Sequence, residues 1–379
     1  MMSTSKRARV DPFHAMDVLA EANRLAAEGK PVLSLAVGQP AASVPEPVRR
    51  AGAEALLGGR LGYTDTLGRA ETRAAIAAHY RDHYGVDVPA GRIAVTTGSS
   101  AGFSLAFLAL ADPGARVAIA SPGYPAYRNI LKALSLEAVE LPAAGKAFDL
   151  DALIAAHRER PIAMLLLASP ANPTGTVIER DELGAIIAAC RDHGIVFISD
   201  EIYHRLRYTG DDVTALEFGD DVIVINSFSK YYCMTGWRIG WMVLPETLVR
   251  PVERLAQSLY ICAPDVSQIA APHAFACTGD YEAIKEGYRA NRALLLERLP
   301  GMGIEFAAAP DGAFYVWCDI SRHTNDSMAF AKRMLSEIHV AATPGADFDV
   351  FEGERHIRFS YSGDQAVIAE ALDRIEAWL

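Results

Sequence analysis

Between residues 90 and 260 the chain alternates short apolar, β-branched runs with stretches of helical period. The runs fall at 93–97, 116–120, 137–141, 162–168, 195–199, 222–226 and 239–243, and several are apolar at nearly every position, as strands buried on both faces are. Between them, stretches such as 99–110 and 179–193 carry apolar residues at helical spacing. This alternation predicts an α/β fold, a mostly parallel sheet with helices on both faces. The remainder has another rhythm. Helices are expected near 284–299 and 327–338 with a closing helix over 366–378, and strands near 313–319 and 355–360. That pattern reads as a smaller α+β domain. A helical stretch over 15–28 stops at Gly29 and Pro31. The expected division is a large domain over 41–280 and a small one built from 1–40, the N-terminal arm, and 281–379.

Composition narrows the function classes. At 379 residues, 51% hydrophobic and 22% charged, the chain is an ordinary globular protein with room for two domains, not a disordered, collagenous or coiled-coil one. Its net charge of −11 makes it a poor nucleic-acid binder, because phosphate neutralisation needs a basic face. The five cysteines are scattered and form no C-x-x-C pair, which argues against a disulfide framework or zinc ribbon and fits a reducing compartment. No apolar run approaches the length of a membrane span. Lys6, Arg7 and Arg9 are followed by Val10-Asp11-Pro12 where a signal peptide would have its apolar stretch. A cytoplasmic protein with a loose basic tail, and with neither nucleic-acid nor membrane partners, is expected.

Ligands in open α/β sheets bind just outside the carboxyl ends of the strands, so the residues that follow each strand matter most. Gly98-Ser99-Ser100 follows the first run and opens a helix. Ser169-Pro170-Ala171-Asn172-Pro173-Thr174-Gly175 follows 162–168, Asp200-Glu201-Ile202-Tyr203 follows 195–199, and Ser227-Phe228-Ser229-Lys230 follows 222–226. One rim would then gather small hydroxyls, an amide, a carboxylate, a phenol and a lysine. A Gly-Ser turn before a helix is ordinarily a cap, yet a helix N-terminus is also an anion site, and Ser227, Ser229 and Arg238 add groups suited to a phosphate. Neither a G-x-x-x-x-G-K-[ST] loop nor a strand leading into G-x-G-x-x-G is present, so the phosphate would belong to something smaller than a nucleotide. Most lysines are solvated surface charges. Lys230, between a buried run and Met234-Thr235-Gly236-Trp237-Arg238, has apolar and cationic neighbours that would depress its pKa and suit it to Schiff-base chemistry. Asp200, otherwise readable as a turn cap, could hold a pyridine nitrogen protonated. Together these groups describe a site for pyridoxal 5′-phosphate.

Ser227-Phe228-Ser229-Lys230, followed by Gly236-Trp237-Arg238-Ile239-Gly240, resembles the lysine motif of class I pyridoxal-phosphate aminotransferases of the aspartate/aromatic type. Asn172-Pro173-Thr174-Gly175 and Asp200-Glu201-Ile202-Tyr203 match that family's other signatures in order, and the resemblance runs from Leu35-Ala36-Val37-Gly38-Gln39-Pro40 to His356-Ile357-Arg358-Phe359-Ser360. It implies that Lys230 binds the cofactor aldehyde and moves the substrate proton. Asp200 would pair with the ring nitrogen, and Tyr203 and Asn172 would bond its phenolic oxygen. Tyr124 would stack on the ring, while Ser99, Ser100, Ser227 and Arg238 hold the phosphate. Tyr63 resembles the tyrosine that reaches the cofactor phosphate of a neighbouring subunit, implying a homodimer with shared sites. Arg358 resembles the arginine that clamps the substrate α-carboxylate, with Gly38 and Asn172 beside it; Arg355 reads as a surface charge. The implied activity is ping-pong transfer of an α-amino group from an L-amino acid to a 2-oxo acid.

The donor is less determined. The stretch 98–103 is small and neutral where some aspartate-specific relatives carry a lysine, which favours a neutral, aromatic or broad range of donors, although an arginine from a partner subunit could still serve aspartate. The same residues would also serve a pyridoxal-phosphate β-lyase or another eliminating enzyme. A non-catalytic effector-sensing module is a remoter reading, since such regulators append a DNA-binding domain. His79 and His83, spaced i, i+4, share a helix face as a metal pair can, but no glutamate stands at the metalloprotease position between them and no metal is expected.

Overall fold

The computed structural model describes residues 3–143 and 147–379. Its strands are β1 (Leu33–Ser34), β2 (Ile93–Thr96), β3 (Arg116–Ser121), β4 (Glu137–Pro142), β5 (Met164–Ala168), β6 (Val196–Asp200), β7 (Ile223–Ser227), β8 (Gly240–Val243), β9 (Tyr315–Asp319), β10 (Val340–Ala341), β11 (Thr343–Pro344) and β12 (His356–Ser360). The α-helices are α1 (His14–Ala27), α2 (Glu46–Gly58), α3 (Ala70–His79), α4 (Ser99–Leu110), α5 (Pro125–Ala133), α6 (Leu150–Glu159), α7 (Arg180–His193), α8 (Glu246–Leu259), α9 (Asp265–Ala270), α10 (Thr278–Arg298), α11 (Ser327–Ile338) and α12 (Gln365–Trp378). The seven expected strands form one sheet in the order β2-β8-β7-β6-β5-β3-β4. Pairings from β4 to β7 are parallel, and β8 runs antiparallel to both of its neighbours. The sheet is therefore mostly parallel, as the alternation predicts.

Side-chain alternation in these strands builds a core on each face. Leu165, Leu167, Phe197 and Val224 pack with α6 and α7 residues such as Leu153, Leu183 and Ile187. Met164, Leu166, Ile198 and Ile225 pack on the opposite face with Phe103 and Phe107 of α4, Leu131 of α5 and Val252 of α8. Because both faces are covered, β5 reads as a continuous apolar run, and β7 is buried along its whole length. Each such buried side chain contributes about 1.5–3 kcal/mol.

Helix ends follow local chemistry. Asp149, Asp326 and Asp364 accept first-turn N–H groups of α6, α11 and α12, and α7 stops at Gly194 in the left-handed region. The C-terminal third forms an antiparallel sheet, β11-β12-β9, while β1 and β10 pair in parallel. The expected strands there are shorter than predicted, and α10 begins at Thr278, ahead of the predicted 284. No helix among the described residues is long and apolar enough to cross a membrane.

Candidate active site

The carboxyl ends of β2, β3, β5, β6 and β7 open on one rim, where a cavity of about 480 Å³ lies between the large sheet and the residues around Gly38 and Arg358. That volume falls in the range of small-molecule sites. Of the residues singled out in the sequence, Gly38, Ser99, Ser100, Tyr124, Asn172 and Asp200 border it, as do Tyr203, Lys230, Arg238 and Arg358.

One end of the cavity is a cradle of donors. Gly98 turns into α4 at φ +82°, and no side chain caps the helix, so its first N–H groups face the cavity end without intrahelical partners. A Cβ on Gly98 would lie 2.5 Å from Nη2 of Arg238, so the guanidinium rests directly against this turn. Arg238 itself sits in the left-handed region at φ +52°, and its Nη1 donates to the Thr235 carbonyl at 2.9 Å. Ser229 reaches the wall where Ser227 was expected. The Ser227 hydroxyl instead meets Ser229 Oγ at 2.9 Å and the Ile239 carbonyl at 3.1 Å, and it accepts the Ser229 N–H at 3.1 Å. Its position at the buried end of β7 thus turns it into a support for Ser229.

The centre of the cavity holds the titratable groups. Asp200, only 2% exposed, accepts from the Ile202 N–H at 3.0 Å on Oδ1 and from the Tyr127 hydroxyl on Oδ2. Burial still pushes its carboxyl up to about 6, against the pull of those two donors. Nζ of Lys230 donates to the Gly38 carbonyl at 2.6 Å. Withdrawal from water, then the charges of Arg358 and Arg238, lower this amine to about 8, while Asp200 acts in the opposite sense. About a tenth of it is therefore neutral at pH 7. The buried Tyr203 hydroxyl lies 2.8 Å from that of Tyr315, and burial raises its phenol well above the usual range.

Arg358 closes the far side. It is 3% exposed, with Nη1 donating to Asn172 Oδ1 at 2.9 Å and Nη2 to the Ala36 carbonyl at 2.6 Å and Thr343 Oγ1 at 3.2 Å. The guanidinium lies between two rings, its Cζ 4.3 Å from the centroid of Tyr315 and 4.6 Å from that of Phe348. Its Nε is buried with no partner, a free donor in a planar fork suited to a carboxylate. Arg355, by contrast, pairs with Asp319 at 2.7 Å away from the cavity. Gly38 has a steric role that the sequence did not suggest: a Cβ there would lie 2.0 Å from the Tyr315 hydroxyl.

With this geometry in place, comparison with known proteins is direct. Residues 30–375 match the sequence profile of aminotransferase class I and II. The chain belongs to that family. The valine–pyruvate aminotransferase of Mycobacterium tuberculosis is 48% identical over 98% of this chain and 97% of that protein, and the aspartate aminotransferase of Thermotoga maritima is 31% identical over 96% of each. Among solved structures, an aminotransferase from Mycobacterium tuberculosis superposes with a TM-score of 0.96 at 45% identity, covering 100% of this chain and 99% of the other. The aspartate aminotransferase of Thermus thermophilus with maleate gives 0.93 at 30% identity, covering both chains fully. This protein is an aminotransferase, and its relatives lend no support to the elimination or sensing readings.

Several parts of this aminotransferase's site were not legible beforehand. Phe13, Ala15, Met16 and Leu19 bring the start of α1 over the cavity, and the Phe13 ring meets Tyr124 edge-on at 5.7 Å. The buried Asp347 carboxylate holds α1 there by accepting the His14 and Ala15 N–H groups at 3.2 and 2.9 Å. Tyr63 stands elsewhere, 83% exposed beside Leu61 and Asp265 on an open surface. His79 and His83 stack with ring centroids 5.5 Å apart, and burial pushes His79 down to about 3. Among the described residues no group of three or more metal-ligating side chains occurs.

Proposed function

We propose that the protein transfers the α-amino group of a neutral L-amino acid to a 2-oxo acid, using pyridoxal 5′-phosphate bound through Lys230 in a homodimer with shared sites. The observation that carries this reading is one cavity edged by a lysine amine lowered to about 8, a buried carboxylate and a donor-rich cradle. These residues fit that cofactor. The α4 N-terminus, Ser99, Ser100, Ser229 and Arg238 suit a phosphate dianion, with Ser227 acting through Ser229. Asp200 suits a protonated ring nitrogen, Tyr203 and Asn172 a phenolic oxygen, and Tyr124 a ring face. Once bound, the cofactor would supply an electron-withdrawing ring that acidifies the substrate Cα–H.

The chain's own groups account for the rest. The buried carboxylate of Asp200, fixed at both oxygens, keeps a positive charge opposite it. The Arg358 fork and the Gly38 backbone orient the α-carboxylate, which leaves Cα–H toward Nζ of Lys230. The neutral amine of Lys230 removes that proton as general base and returns it as general acid. The α1 residues Phe13, Met16 and Leu19 exclude water from the mouth. The first half-reaction releases a 2-oxo acid, and the second consumes another.

The donor class rests on the side-chain wall. Around it stand Phe13, Met16, Leu19, Val37 and Ile202, and the lining cations are Lys230, Arg238 and Arg358, which the reading above assigns to the cofactor aldehyde, its phosphate and the α-carboxylate. An apolar donor such as valine, with pyruvate as acceptor, accords with the name of the Mycobacterium tuberculosis relative. Tyr63, together with exposed Leu56, Leu57 and Ile261, supports a second copy completing the site. The five free cysteines fit a cytoplasmic setting. The division into 41–280 and 1–40 with 281–379 is retained as the domain assignment. To test the cofactor linkage, the loaded protein would be reduced with borohydride and its peptides weighed. Added pyridoxyl mass on the Lys230 peptide is expected; mass on another lysine would overturn the assignment.

A further inference from the structure

Tyr315 sits on β9, the strand that pairs with the strand of Arg358, in register opposite Ser360. It is 1% exposed, and its ring forms one of the two plates around the Arg358 guanidinium. Its hydroxyl points the other way, past Gly38, to a position 2.8 Å from the Tyr203 hydroxyl. That contact is the one hydrogen bond of the Tyr315 side chain among the described residues. The absence of a Cβ at Gly38 is what leaves room for it.

A phenol has one proton to donate. In a pair of hydroxyls, one donates and the other is left free to donate onward. Both tyrosines border the cavity, and Tyr203 stands beside Lys230, whose Nζ lies 5.9 Å from its ring centroid. When Tyr315 is the donor of the pair, Tyr203 keeps its own proton for a group in the cavity. We propose that Tyr315 is a positioning residue which donates to Tyr203, so that the Tyr203 proton is directed to, and its bond strengthened on, the phenolic oxygen of the cofactor. This inference rests on the cofactor reading above. A stronger donor at that oxygen stabilises its negative charge and lowers the proton affinity of the nitrogen joining the cofactor to Lys230. Losing the donor raises it.

The experiment is a pH titration of the visible absorption band of the cofactor-loaded protein for wild type, Tyr315→Phe, Tyr203→Phe and the double variant. Tyr315→Phe keeps the ring on Arg358 and removes only the hydroxyl. Removing a donor to a charged oxygen moves a titration by roughly one to two pH units, and a neighbour strengthens a hydrogen bond by roughly 10–30%. The Tyr315→Phe midpoint should therefore rise by roughly 0.1–0.6 unit, less than that of Tyr203→Phe. In the Tyr203→Phe background the Tyr315 substitution should cause no further rise, since the effect passes through Tyr203. An unmoved midpoint with a raised KM for amino acids would overturn the proposal and assign the hydroxyl to the substrate carboxylate. Equal shifts in both backgrounds would also overturn it. A protein that develops no visible band with the cofactor fails the cofactor reading instead.

Discussion

Replacing Arg358 tests how the substrate carboxylate is held. The guanidinium is 3% exposed, is fixed by three acceptors and two rings, and keeps a buried Nε without a partner. A carboxylate entering this fork would make a dry, charge-assisted pair. Removing one member of such a pair costs roughly 2–5 kcal/mol, which is a loss of roughly 30-fold to several thousand-fold in kcat/KM. Arg358→Leu should show this loss for every amino acid donor alike, mostly in KM, because all donors share the α-carboxylate. Arg358→Lys should recover part of it, as a point charge without the fork. The leucine variant also strands Asn172 Oδ1, while the Ala36 carbonyl keeps the Thr343 hydroxyl at 2.9 Å, so its melting temperature is to be measured beside steady-state rates with valine, phenylalanine and aspartate. A loss confined to aspartate, or an unchanged KM with a stable fold, would refute the reasoning.

Three other perturbations follow from the same geometry. Asp200 sits at about 6 against 3.8 when unfolded, so its ionisation disfavours the folded chain as pH rises through that window. Cofactor-free Asp200→Asn should melt above wild type at pH 7–8, by up to about 3 kcal/mol, with the gap closing below about pH 4; a gap independent of pH would contradict this. The neutral amine of Lys230, lowered to about 8, would be the form that takes up the cofactor, so loading of the cofactor-free chain should accelerate with pH and level off above about 8. Stopped-flow absorbance checks this, and acceleration continuing to pH 10 would oppose it. Finally, inactive Lys230→Ala mixed with impaired Tyr63→Phe should form hybrid dimers with one intact site and regain activity; no gain after subunit exchange would contradict the shared sites.

The candidate site is legible in the sequence where a polar group directly follows a strand end. Asn172, Asp200 and Lys230 each follow a run buried on both faces, and that burial makes the run and its end recognisable. Contacts between distant segments left no comparable trace. Tyr315 meets Tyr203 across 112 positions, and Asp347 caps a helix 332 positions earlier, so neither has a periodic signature. Tyr127 had a weak one. It stands three residues beyond Tyr124 on α5, close enough for the rings to meet at 5.3 Å, but a helical tyrosine there reads equally as core. The antiparallel direction of β8 also escaped the alternation pattern, because a strand's apolar run does not encode its direction. That direction matters. It returns the chain from Ser229 and Lys230 through Arg238 to the same rim, so one excursion supplies both the amine and a guanidinium that line the cavity.

Reversible amino transfer on a bound pyridoxal phosphate, run by Lys230 and its neighbours, is the activity proposed for this site. Its most direct test is the absorption spectrum of the purified, cofactor-loaded protein during titration with single amino acids. A yellow band should bleach with valine, less readily with aspartate, and return on addition of pyruvate. A band unmoved by every amino acid, or ammonia released without bleaching, would contradict it.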